Sequence, residues 1–346
     1  MPELAVTPAT SGVALVVTSI AAPNDALRSL AAGAADHDHS FIVVGDAKSP
    51  PDFRLDGCAF YDVAAQRDSG FEYARRCPTG HYARKNVGYL LAMRAGAPVL
   101  VETDDDNLPR PGFWEARRRR QRVPVIADAG WLNVYGYFSD SGMWPRGLPL
   151  DAVRRPLPDF DGLPEREIDC PIQQGLADGD PDVDAIYRLV LPLPQTFRSD
   201  RRLALAAGTW CPFNSQNTTW FPDAYPLLYL PANCPFRMTD IWRSFVAQRI
   251  AWANGWGVLF DRPTVEQRRN EHDLMRDFAD EIPGYLDNGR IAQALDALEL
   301  APGSANIADN LHRSYRALVK ISVIDEQELP LLDAWLGDLE RLGVSG

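Results

Sequence analysis

The stretch PVLVETDDDN, residues 98–107, runs from an apolar segment straight into three aspartates. Val99–Val101 show no polar alternation, the pattern of a strand buried on both faces. Three more such segments precede it: GVALVVTSI at 12–20, FIVVGD at 41–46 and GCAFYD at 57–62. Helical patterns alternate with them. NDALRSLAAGA at 24–34 reads as a helix capped by Asn24, and HYARKNVGYLLAMRAGA at 81–97 as a longer one ending near Gly96. Apolar strands alternating with helices predict an α/β fold, a mostly parallel sheet covered on both faces. Ligands of such sheets bind beyond the carboxyl ends of the strands, where Thr18, Ser19, Asp46 and the aspartate run all fall.

The composition narrows the function. With 346 residues, 46% of them hydrophobic, the chain can bury one large core or two modest ones. A formal net charge of −12 repels a phosphate backbone, so nucleic acid is not an expected partner. Five scattered cysteines with no Cys-x-x-Cys pair argue against a cysteine zinc site and for a reducing, cytoplasmic setting. The run VALVVTSIAA is about half the length a bilayer requires, so no transmembrane segment is expected. The basic run ARRRRQR at 116–122 reads either as an attachment point for an anionic acceptor or membrane headgroups, or as a solvated helix face paired with acids.

Residues 140–235 are rich in Pro, Gly and aromatics and read as short strands between ordered loops. TDIWRSFVAQRIAWANG is a helix over 240–254 with Thr239 as its cap, followed by the strand WGVLFD. The last 80 or so residues read as four helical segments, EHDLMRDFADEI, GRIAQALDALEL, IADNLHRSYRALVKISVI and DEQELPLLDAWLGDLERL, forming a helical extension.

Three adjacent carboxylates repel one another unless a positive charge sits among them. One reading is a solvated acidic turn. The other is a clamp for Mn2+ or Mg2+, hard cations that take oxygen ligands from one or two carboxylates plus substrate phosphates. In an extended segment alternate residues point the same way, so Asp104 and Asp106 would share the ion while Asp105 turns aside. A phosphotransferase motif of the haloacid-dehalogenase type would need Thr or Val where Leu108 stands. Arg84, Lys85 and Asn86 open a helix, where cations oppose the dipole and invite an anion; ordinary surface cations are the alternative. Asp240 opens another helix, which suits either a base or a plain stabilising acid. His272 is a candidate metal ligand or a polar surface residue.

Several longer words, VVGDAKSP, RKNVGYL, WPRGLPL, DGDPDVDAIYRL, CPFNSQNT, TDIWRSFVAQRI and RNEHDLMRDF, resemble the STELLO-type family of glycosyltransferases, best known from plant Golgi proteins tied to cellulose synthase assembly. The order of strands, aspartate run, helix-start acid and late histidine resembles GT-A enzymes generally. The resemblance covers residues 13 to about 280, with little of it in the last 65. It implies a GT-A, Rossmann-like mixed sheet with helices on both faces over 1–262, divided near residue 130 into nucleotide- and acceptor-binding halves, and a helical region over 263–346.

By this resemblance Thr18, Ser19 and Asp46 would contact the base or ribose of a nucleotide-sugar donor, a UDP-sugar being favoured. Arg84, Lys85, Asn86 and Asp105 would face the donor as well. Asp104, Asp106 and His272 would hold Mn2+ or Mg2+, and Asp240 would be the general base. Asn214, Ser215, Gln216 and Asn217 would bind hydroxyls of a saccharide acceptor, with Trp210 and Trp220 stacking on sugar rings. A nucleotide-sugar mutase, a self-glycosylating protein and a non-catalytic scaffold for polysaccharide synthesis are the competing expectations. The plant proteins are membrane-anchored and luminal, whereas no anchor is read in this sequence, so a bacterial-type enzyme, cytoplasmic or peripheral at the inner face of the membrane, is expected.

Overall fold

The computed structural model describes residues 12–270 and 273–344. The first part alternates as the sequence predicts: β1 (Val13–Thr18), α1 (Asp25–Asp36), β2 (Ser40–Val44), β3 (Ala59–Tyr61), α2 (Val63–Arg67), α3 (Glu72–Arg76), α4 (Lys85–Arg94) and β4 (Val99–Thr103). Asn24 caps α1, its side chain accepting from Leu27 N at 2.9 Å. The four strands pair in parallel in the order β3-β2-β1-β4. The chain therefore reverses its lateral direction between β1 and β4, which opens a crevice at their carboxyl ends.

Successive strand residues face opposite layers. Ala14, Val16, Ile42 and Val44 join the larger core with α4, whereas Leu15, Val17, Phe41 and Val43 pack on Leu27, Leu30 and Ala34 of α1. Gly88 lets α4 sit directly on this sheet: a Cβ there would lie 2.5 Å from Val16 and 2.6 Å from Val44.

The middle of the chain supplies β5 (Asn107–Pro109), β6 (Arg120–Ile126), β7 (Gly130–Trp131), α5 (Tyr135–Phe138), β8 (Glu165–Asp169), β9 (Ile172–Gly179), α6 (Ala185–Val190), β10 (Leu203–Leu205), β11 (Thr209–Trp210) and β12 (Asn217–Trp220), then α7 (Thr239–Ala253) and β13 (Val258–Gln267). Among the described residues the main sheet has eleven strands. Its path continues β4-β12-β9-β13-β10-β6-β8, with β5 on β13, while β7 and β11 pair separately. Beyond β4 the sheet is mixed: β12 runs antiparallel to both β4 and β9, while β9 pairs in parallel with β13 and β10 with β6. The inversion at β12 matters for the site: Asn217 pairs with Thr103, so the residues before β12 lie beside the aspartate run.

The basic run is not a helix face. It leads into β6, where Arg120 and Arg122 are exposed and Gln121 and Val123 buried, a period of two rather than 3.6. Both arginines face acids of β8, Arg120 near Glu167 and Arg122 near Glu165, each at 3.6 Å.

The carboxyl-terminal helices are α8 (Leu274–Asp296), α9 (Ile307–Lys320) and α10 (Glu328–Arg341). The two segments expected before and after Pro283 form one helix. Its buried positions 277, 281, 284, 288, 291, 292 and 295 follow one helical face without a break at Pro283, which outweighs the helix-breaking tendency of proline. The helices are anchored by buried acids. Asp338 of α10 accepts from Glu72 N at 3.0 Å and Tyr73 N at 2.8 Å at the start of α3, and Glu328 accepts from Ala232 N at 3.0 Å and Asn233 N at 2.6 Å. They share the larger core with the sheet, and the boundary expected at residue 262 falls inside β13. Among the described residues no helix is long and apolar enough to cross a membrane.

Candidate active site

Asp104–Asn107 form a turn, closed by Asn107 N donating to Asp104 O at 3.3 Å, rather than an extended segment. The three carboxylates consequently reach three different partners. Asp104 accepts from Lys85 Nζ at 3.0 Å and Tyr82 OH at 2.8 Å, and Asp105 from Ser19 Oγ at 2.5 Å. Asp106 accepts from Gln267 Nε2 at 3.1 Å, because β13 pairs with β5 immediately beyond the turn. The alternation expected to aim Asp104 and Asp106 together is thus replaced by a fan. The crowding remains: burial pushes Asp105 above the usual carboxylate range, and burial reinforced by Asp104 and Asp105 pushes Asp106 up to about 7.

Lys85 is fully buried beneath the turn and donates to Thr103 O at 2.7 Å and Ser215 O at 3.1 Å as well as to Tyr82 OH at 2.8 Å. Tyr82 OH, which donates to Asp104, lies 2.6 Å from Ser215 Oγ and is placed to accept from it, and Ser215 reaches Asp240 by donating from its backbone N at 3.3 Å. A hydrogen-bonded run thus joins the strand-end aspartates to the acid at the start of α7. Asp240 lies in the first turn of α7 with Thr239 already helical and Met238 in the cap position, one residue earlier than the sequence predicts.

The other side of Asp240 is held by Arg146, whose Nη2 donates at 3.0 Å. Arg146 also grips Asp182 through Nε at 2.8 Å and Nη2 at 3.0 Å. Asp182 is held down at about 2: burial opposes its ionisation, and the Arg146 guanidinium with the Asn214 amide, bonded at 2.8 Å, outweighs that penalty. Beneath the site Glu102 of β4 is fully buried and receives Arg243 Nη1 of α7 at 2.9 Å and Trp220 Nε1 at 2.8 Å. This pair fixes α7 to the strand that carries the aspartates.

The remaining expected residues divide. Thr18 and Ser19 line the crevice end of β1, and Ser49 Oγ ties the following loop to Ser19 O at 2.8 Å. Asp46 accepts from Gly80 N at 2.8 Å and His81 N at 3.0 Å, so it holds the segment that delivers Tyr82. Arg84 and Asn86 are buried and bond to the protein interior, Arg84 to Gln66 at 2.6 Å and Cys77 O at 2.9 Å, Asn86 to Tyr73 OH at 2.8 Å and Leu230 O at 2.9 Å. Neither is the open helix-start group expected, because a short 3-10 turn over Tyr82–Arg84 precedes α4 and turns them inward.

Trp210 and Trp220 are core residues, not sugar platforms: Trp210 packs against Trp131, Phe245 and Trp252, and Trp220 under the Arg243 guanidinium at 5.0 Å. Asn214 and Asn217 bond to Asp182 and to Thr264 Oγ1, both at 2.8 Å, and Gln216 is buried with its carbonyl held by Asn107. His272 lies outside the described residues. Tyr82, Arg146, Asp182, Gln267, Glu102 and Arg243 carry the site without having been singled out. A signal for one pair existed: Glu102 inside a doubly buried strand requires a buried cation, and Arg243 stands one turn after Asp240.

Among the described residues no three His, Cys, Asp or Glu side chains gather into a metal-holding group. The aspartate turn nevertheless offers oxygen donors only, and their mutual repulsion is what a hard cation relieves. That fits an ion completed by phosphate and water rather than a cage built wholly of protein.

The fold and this crevice together define a mixed α/β protein, an architecture consistent with a GT-A-like fold. Residues 237–345 match the family model described as STELLO glycosyltransferases. The chain is 27% identical over 334 residues to "Probable glycosyltransferase STELLO2" of Arabidopsis thaliana, and to the same degree to "Probable glycosyltransferase STELLO1" of that organism. Each alignment covers 87% of this chain but 41% of the relative, so the chain spans about two fifths of the length of the curated relatives it matches. The STELLO-type resemblance therefore stands, with one correction. The carboxyl-terminal helices, expected to carry little of it, lie within the matched family region.

Proposed function

We propose that this chain is a metal-dependent glycosyltransferase that moves a sugar from a nucleoside diphosphate sugar, a UDP-sugar by preference, to a hydroxyl of a saccharide acceptor. The observation that carries this reading is the run Asp104–Tyr82–Ser215–Asp240, which joins acids from two separate elements in one crevice at the β1/β4 switch point. The names of the two plant relatives agree with it.

In this reading Thr18 and Ser19 border the nucleoside. Asp104 and Asp106 are the residues that would hold Mn2+ or Mg2+, on condition that they turn together from their separate partners, Lys85 with Tyr82 and Gln267, and His272 is retained as a third expectation. The bound cation would supply positive charge to the departing diphosphate. Lys85 fixes Asp104 from below and compensates part of the turn's negative charge. Asp240 takes the proton of the attacking hydroxyl if the anomeric centre inverts, with Arg146 and Ser215 orienting its carboxylate.

Calorimetry with UDP and Mn2+ tests the donor half. Asp104→Asn combined with Asp106→Asn should abolish manganese-dependent nucleotide binding, and unchanged binding would sink the clamp. Asp240→Asn should keep donor binding and lose transfer; retained turnover would remove Asp240 as the base.

A further inference from the structure

We infer that the acceptor is a neutral oligosaccharide several residues long, and that its distal sugars lie in a cavity between the loop entering α7 and the turn joining α9 to α10. This rests on the glycosyltransferase reading and extends it to a second site. It is an open surface depression of about 690 Å³, a shape that suits an extended ligand rather than one enclosed on all sides. One wall is the loop 232–235 and the other is Val319 with residues 322–327.

The connection to the reacting groups is short. Pro235 lines the cavity, and the next residue, Phe236, leads into the turn that begins α7 and carries Asp240. Phe236 is 54% exposed, yet its ring is fixed edge-on against His81 at 5.8 Å and Tyr82 at 6.3 Å. A half-bare aromatic that follows the cavity's Pro235 in the chain and stands edge-on to Tyr82 suits the apolar face of a pyranose. With Trp210 and Trp220 buried in the core, Phe236 takes over the stacking role expected of them.

The lining sets the ligand class. Asn233, Ser322 and Gln327 offer uncharged hydrogen-bonding groups, and Val323 and Ile324 an apolar wall. Asp325 and Glu326 add negative charge, and among the described residues lining the cavity there is no Lys, Arg or His. Uronates and phosphorylated glycans are therefore repelled, and neutral hydroxyl-rich chains are accepted. Both walls also depend on Glu328, which fastens α10 to Ala232 and Asn233, so the carboxyl-terminal helices act as half of a binding surface.

The test is calorimetric binding of neutral linear hexose oligosaccharides of one to six units, with uronate oligomers alongside and UDP with Mn2+ as an independent titration. Affinity should rise about tenfold between one and four neutral units. Gln327→Trp, at an exposed rim position whose side chain makes no cap bond, should cancel that gain and leave UDP binding unchanged, with an unaltered melting curve showing that the fold is intact. Phe236→Ala should weaken every length about fivefold. The inference is overturned if no neutral member binds, if affinity is flat with length, if the gain survives Gln327→Trp, or if uronates bind more tightly. Length-dependent binding without any UDP binding would leave the cavity assignment standing and defeat the donor reading.

Discussion

The two halves of the sheet meet at β4 and are built on different rules. From β3 to β4 the strands are mostly apolar on both faces, and Glu102, next to the last residue of β4, is the one charge enclosed among them. From β12 onward polar side chains lie inside: Gln173 and Gln174 on β9, Asn217–Thr219 on β12, and the pairs Glu102–Arg243 and Arg146–Asp182 around them. The first half is a scaffold stabilised by burial of apolar area. The second is a polar floor whose cost is offset only while every group keeps its partner. Substitutions should accordingly act through packing in one half and through unpaired charge in the other.

The largest effect is expected at the seam. Arg243→Ala leaves Glu102 charged and enclosed, and should lower the free energy of unfolding by about 3–5 kcal/mol in urea titration. Replacing both partners, Glu102→Leu with Arg243→Met, should recover most of that loss, because the penalty comes from the orphaned charge rather than from the missing attraction. A double variant as unstable as the single one would contradict this view of the floor.

The same contrast explains what the sequence discloses. The parallel half was legible because Val, Leu and Ile in unbroken runs announce doubly buried strands, and the position of the aspartate turn followed from the fourth of them. β9 and β12 were legible only as unplaced short strands within 140–235, since IQQGLADG and NTTW bury polar side chains and carry no apolar period. Of the site, the residues at strand and helix ends were visible as types, but their aim was not. Arg84 and Asn86 turn inward after a 3-10 turn that no periodicity marks, and the run through Tyr82 and Ser215 exists only because β12 pairs antiparallel with β4.

In the scaffold half Gly88→Ala is the sharpest probe. Its new Cβ meets Val16 and Val44 of a packed sheet, and overpacking of that kind costs about 1–3 kcal/mol, read as a lowered melting temperature. Adding Val16→Ala should restore part of it by making room.

At the turn itself the effect is smaller and depends on pH. Asp106 is raised to about 7 in the folded protein, from an ordinary carboxylate value when unfolded. The folded state therefore holds the extra proton, so this contribution is fully present below the unfolded value and is lost as pH rises through about 7. In chelator, stability should fall by about 1.4 kcal/mol between pH 6 and pH 8, and Asp106→Asn should flatten that step. A wild-type protein with no such step would mean that burial, and the crowding by Asp104 and Asp105 that reinforces it, raise Asp106 less than its placement indicates.

The smallest effect belongs at the far edge, where β6 and β8 face solvent. Arg120 and Arg122 lie 3.6 Å from Glu167 and Glu165 with more than half of each side chain exposed, so water and salt screen both pairs. Arg122→Ala should change unfolding free energy by less than about 1 kcal/mol, and the difference should vanish in high salt. The run ARRRRQR is the strongest positive feature of an acidic chain, yet in the fold its strand arginines stand opposite acids. A loss as large as that of Arg243→Ala would show that charge pairing, and not burial, decides the weight of an ion pair here, and would erase the distinction between scaffold and floor.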